Sequence, residues 1–147
     1  MRVESTCSMP ALYRTELEKQ VKRSVLEVMR ARKRTDFKIA TTSAGKVGET
    51  SVEQVDVMFD NVRLRLGIDP ASGRVLSLAY KGRQSSSGEI GEIVLLFSDF
   101  RAVDGLTLPF KTTGTFNGLH DPQQTYTVEA ITLNGKLDPA AFEKPGK

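Results

Sequence analysis

The stretch VRLRLGIDPASGRVLSLAY, Val62–Tyr80, decides the fold. Val62, Leu64, Leu66 and Ile68 alternate with Arg63 and Arg65. That period of two marks a strand with one wet face and one buried face. Asp69–Gly73, DPASG, then places a proline and a glycine where a tight turn uses them. Leu76, Leu78 and Tyr80 resume the same spacing. Two half-buried strands joined by a short turn form an antiparallel pair, and the flanking sequence extends it on both sides.

Upstream, Phe37, Ile39 and Thr41 open a first strand, and Val55, Val57 and Phe59 alternate in a second that Asp60-Asn61 turns back. Downstream come a loop at Gln84–Gly91, an apolar strand at Ile93–Phe97 and the hairpin DFRAVDGLTLPF, Asp99–Phe110. Two registers suit that hairpin. A three-residue loop, Val103–Gly105, pairs Phe100 with Leu108 and keeps Asp99 and Arg101 on the outer face, so it is the expected one. A two-residue loop would put Arg101 opposite Leu108 and mix polar with apolar on one face. FNGLHDPQQ, Phe116–Gln124, reads as a loop, Tyr126–Leu133 as the last strand, and Asp138–Phe142 as a short helical turn.

The N-terminal part has a different period. Ser8-Met9-Pro10 suits a helix start, and Leu17, Val21, Val25, Val28 and Met29 recur at helical spacing up to about Arg34. A helix of about 24 residues would be roughly 36 Å long. The expected fold is therefore α+β in a single domain, 1–147. A helix over 8–34 packs across a curved antiparallel meander of about seven strands over 36–133, and a tail follows over 134–147. At about 4.8 Å per strand, that sheet is roughly 29 Å wide.

Composition bounds the function. The chain has 147 residues, 39% hydrophobic and 27% charged, so it is long enough to bury a core without disulfide or metal. Residues 1–38 hold ten Lys/Arg against five Asp/Glu, so the basic excess belongs to the helical segment. RARKR, Arg30–Arg34, fits a solvated helix end favoured by the dipole better than a nucleic-acid or anionic-lipid patch, and no nucleic-acid partner is expected. No apolar run reaches the 18 or so residues of a membrane span, and MRVESTCSMP lacks the apolar centre of a signal peptide.

Catalytic chemistry has little to stand on. His120 is the only histidine and Cys7 the only cysteine, and both fall in segments read as loops. Ser85–Ser87 lack the strand-turn-helix setting of a nucleophile elbow. Glu89 and Glu92 read as a solvated strand end. No enzyme activity, metal or cofactor is expected. The surplus of inward apolar residues offers another role. Leu64, Leu66, Leu78, Phe100, Leu108, Phe110 and Phe116 would line a groove wherever one helix fails to cover the sheet, though residues of this kind are more often plain core.

LGIDPASGRVLSLAYKGR, FSDFRAVDGLTLPFKTTGTFNG and LNGKLDPAAFEKP resemble the C-terminal part of exported bacterial proteins related to the LolA/LolB-type lipoprotein-sorting fold, over roughly Pro10–Lys144. Related segments also resemble tails that follow pitrilysin-type zinc peptidase modules, but no His-x-x-Glu-His motif occurs here. The resemblance implies a half-barrel sheet lidded by helix, a cavity for a lipid or acyl chain, and a periplasmic or cell-envelope setting. The expected function is a non-enzymatic envelope domain that holds a lipid or other apolar ligand between helix and sheet. The alternative is a structural or interaction module: an accessory tail of a larger chain, or a half-sheet forming a homodimer by edge-strand or apolar-face pairing.

Overall fold

Of the four two-residue hairpin loops, three share one geometry: Asp60-Asn61, Asp104-Gly105 and Asn117-Gly118. All six residues have positive φ, from 46° to 81°. Such type I′ turns match the natural twist of the strands they join. The structure, a computed structural model, describes residues 11–142. Seven strands follow in chain order: β1 Lys38–Val47, β2 Thr50–Phe59, β3 Val62–Ile68, β4 Val75–Arg83, β5 Ile90–Val103, β6 Leu106–Phe116 and β7 Leu119–Thr127. Each pairs antiparallel with the next, giving one open sheet with β1 and β7 as its edges.

One row of register partners crosses five strands: Val55, Leu66, Leu78, Leu95 and Gly114. This face carries the core, with Leu64, Leu78 and Ile93 fully buried. Val28 and Ala31 cover part of it from a helix, and the Phe37 and Phe59 rings stack 6.1 Å apart at that end.

The expected α+β half-barrel crossed by one long helix over 8–34 is overturned. The protein is mostly β, and its helix comes as two short pieces, α1 Ala11–Lys22 and α2 Val25–Ala31, with a 3-10 turn at Pro139–Phe142. The expected start at Ser8–Pro10 lies outside the described residues. The break falls at Ser24, whose backbone is extended (φ −115°, ψ 149°) and whose Oγ accepts from the Glu27 N–H at 3.2 Å. Ser24-Val25-Leu26-Glu27 has the spacing of a capping box, so the sequence starts a second helix there. The stripe is split as a result. Val28 is buried and Val25 packs on the core, whereas Leu17, Val21, Leu26 and Met29 are about half exposed or more (48%, 71%, 57% and 51%).

Two strand expectations also change. The hairpin at Asp99–Phe110 takes the two-residue loop, with Val103 opposite Leu106 and Arg101 opposite Leu108. Asp104 and Gly105 form the I′ turn, and the mixed face is tolerated because Arg101 lies 4.5 Å over the Phe110 ring while pairing with Asp99 at 2.6 Å. The segment read as a loop, Phe116–Gln124, instead ends β6 and starts β7 around Asn117-Gly118. The last strand therefore runs from Leu119 to Thr127 rather than from Tyr126 to Leu133. Among the described residues, no helix is long and apolar enough to cross a membrane.

Candidate functional site

The ladder between β3 and β4 is incomplete. Its register runs from Arg65↔Ala79 to Ile68↔Val75, although β3 begins at Val62 and β4 continues to Arg83. β2 and β5 stay paired to the far sides of these strands along the same lengths. The sheet therefore opens into a notch of about 410 Å³ between Val62–Leu64 and Tyr80–Lys81, bordered by α1. Its apolar walls are Val62, Leu64, Ala79 and Tyr80. Five cations surround them: Lys19 and Arg23 from the α1 end, Arg63 and Arg65 from β3, and Lys81 from β4. Two carboxylates, Asp56 and Glu92, face these five.

The helix break sets the position of Arg23. It directly follows α1, and its side chain is only 9% exposed. Glu16 pairs with it at 2.5 Å, its guanidinium lies 4.4 Å over the Tyr80 ring, and Nη2 donates to the Lys81 carbonyl at 3.4 Å. Burial pushes the Tyr80 phenol pKa up, against the nearby Arg23 charge. Lys22 ties the same corner to Asp60 at 2.6 Å. Polar contacts thus hold the end of α1 to the sheet while Leu17 and Val21 stay exposed.

On the outer side, Arg65 grips Asp56 with two hydrogen bonds, 2.7 and 3.1 Å, and Thr41 adds a third at 2.8 Å. These bonds lower the Asp56 carboxyl pKa to about 2, the Arg65 bond most, and the same pairing raises the Arg65 pKa. Among the described residues Arg63 has no such partner, and its guanidinium donates instead to the Met58 thioether at 3.5 Å. Among the described residues, neither Arg63, Lys81 nor Lys19 makes an ion pair.

The groove residues expected from sequence separate into two groups. Leu64, Leu66, Leu78, Phe110 and Phe116 are buried at 7% exposure or less, and Phe100 and Leu108 are half-buried. Leu64 alone of the seven also lines the notch. The residues that sequence reasoning missed are the cations, because α1 reaches them only through the fold. A second hollow meets the notch along Asn61–Arg63, but its carboxylates, Asp36 and Asp60, are already held by Arg34 and Lys22.

The groups considered for catalysis lie apart. His120 is exposed on β7 opposite Thr115, and Ser87 donates to Gln84 within its own loop. Cys7 lies outside the described residues. Asp121 is buried, but Gln84 and the Gln123 N–H donate to it, and it shapes the β6–β7 irregularity. Among the described residues, no three His, Cys, Asp or Glu side chains are grouped as metal ligands. No protein-family model, curated protein or solved structure matches the chain.

Proposed function

We propose that this protein is a non-enzymatic binding domain that holds a lipid-like ligand between helix α1 and the sheet, at the β3–β4 notch. The observation that carries this reading is the notch itself, about 410 Å³, walled by Val62, Leu64, Ala79 and Tyr80. Ligand sites usually run from about 300 to 1,000 Å³, with apolar walls and a few convergent polar groups. The resemblance to lipoprotein-sorting proteins supports an apolar ligand and a cell-envelope setting. An environment-sensitive fatty-acid probe titrated into the purified protein should bind saturably at one site per chain. Mass spectrometry of an organic extract should recover co-purified lipid. No saturable probe binding and no lipid would overturn the reading.

A second reading, self-association, is favoured by β1. That strand has no buried residue along Lys38–Val47, and it contains no proline. The opposite edge, β7, is guarded by Pro122 and an irregular register. Val47 and Thr50 flank a two-residue loop, so Thr42, Ala44 and Lys46 direct their backbone groups to the free edge. On this reading light scattering finds a dimer that Thr42→Pro converts to monomer. A wild-type monomer at every concentration would remove it.

A further inference from the structure

The notch selects the head of its ligand as well as the tail: we propose that it takes an amphiphile bearing an anionic group, seated between Arg63 and Lys81. This rests on the ligand-binding reading above and adds the chemical class of the ligand. The last paired residues of the β3–β4 ladder are Arg65 and Ala79. Two residues further along each strand stand Arg63 and Lys81, which would be the next partners had the strands stayed together. Alternation puts their side chains on the same face as Arg65 and turns their peptide groups toward the gap.

Among the described residues, neither cation is neutralised. Asp56 is committed to Arg65 and Thr41, and Glu92, the register partner of Lys81 on β5, forms no ion pair with it. Lys19 adds a third charge from α1 at the same notch. Arg63 and Lys81 are both exposed, so each reaches a ligand at the surface without disturbing the core. A carboxylate or phosphate here would accept charge-assisted bonds from the Arg63 fork and the Lys81 ammonium. Ala79 lies beside the cations, and an apolar chain would pass it through the gap in the ladder to meet Val62, Leu64 and Tyr80 on the core side of the same strands. An acidic peptide would satisfy the cations but leave that wall uncovered, and a neutral lipid would do the reverse.

The full chain is titrated by calorimetry with dodecanoate, with dodecanol and with inorganic phosphate, which separate head, tail and free anion. Dodecanoate should bind at least about tenfold more tightly than dodecanol, a preference of about 1.4 kcal/mol, and phosphate more weakly than either. In the Arg63→Gln/Lys81→Gln variant, dodecanoate should fall to the dodecanol level while dodecanol is unchanged. Circular dichroism checks the fold of that variant. Equal binding of acid and alcohol by the wild type overturns the anion seat and leaves the ligand-binding reading intact. Phosphate binding as tightly as dodecanoate overturns the amphiphile in favour of a free anion. Absence of all binding overturns both proposals, and a variant that loses acid and alcohol alike overturns the assignment of Arg63 and Lys81.

Discussion

Arg65 and Thr41 hold the Asp56 carboxylate through three hydrogen bonds, and its pKa falls from 3.8 to about 2. A carboxyl with a lowered folded-state pKa stabilises the fold above its unfolded value and loses that effect as pH drops toward the folded one. Arg65 is 55% exposed, so solvent screening reduces the contribution to roughly 1 kcal/mol. Asp56→Asn should therefore cost about 1 kcal/mol at pH 7, with the difference from wild type fading between about pH 4 and pH 2. Urea unfolding of both proteins at the two ends of that range checks it. An undiminished difference at pH 2 would count against the pairing. Single residues also explain why one register was misread. Sequence patterning treats Arg101 as polar and sends it outward, whereas its guanidinium lies over the Phe110 ring and behaves there as part of the apolar face. The Asp-Gly turn was visible in the sequence; that stacking was not.

Among elements, the strands were the most legible, because alternation and turn residues are both local signals. Val62–Ile68 was read from sequence and is a strand in the fold. The Asn117-Gly118 turn carried an equally local signal, but the polar run His120–Gln124 masked it. The single long helix failed for a different reason. Apolar spacing continues through Ser24 without a gap, so periodicity alone cannot see the break, while the Ser24–Glu27 spacing could have revealed it. Ser24→Ala removes the acceptor of the Glu27 N–H and should cost about 1 kcal/mol, measured by urea unfolding. At the other end of the sheet, Gly114 packs directly against Gln124 of β7. A Cβ there would lie 2.1 Å from the Gln124 Cβ and 2.9 Å from the Gln124 carbonyl oxygen. Backbone cannot yield as a side-chain tip does, so Gly114→Ala should lower stability by roughly 2–3 kcal/mol. A thermal midpoint unchanged by the substitution would contradict that packing.

At the scale of the whole molecule, the candidate site arises from what the sheet fails to do. The notch joins α1, β3 and β4 at a place where pairing stops, and no local pattern announces that. Leu64 was legible as an inward residue, but its cationic neighbours came together only through the fold. This placement separates a ligand in the notch from one lodged deeper between α2 and the sheet. Leu78 is fully buried and does not line the notch. Leu78→Ala should cost roughly 3 kcal/mol and leave a small apolar cavity in the row that includes Leu66 and Leu95. A ligand that binds only the folded state adds about 2.7 kcal/mol at a hundred times its Kd. If the ligand sits in the notch, the two effects involve separate sites and add, so wild type and Leu78→Ala share one Kd and one stabilisation increment. A core-bound ligand would instead fill the new cavity and bind the variant more tightly, as apolar cavities do. Dodecanoate titrations followed by urea unfolding of both proteins measure the Kd and the increment together, and tighter binding by Leu78→Ala would move the site from the notch to the core.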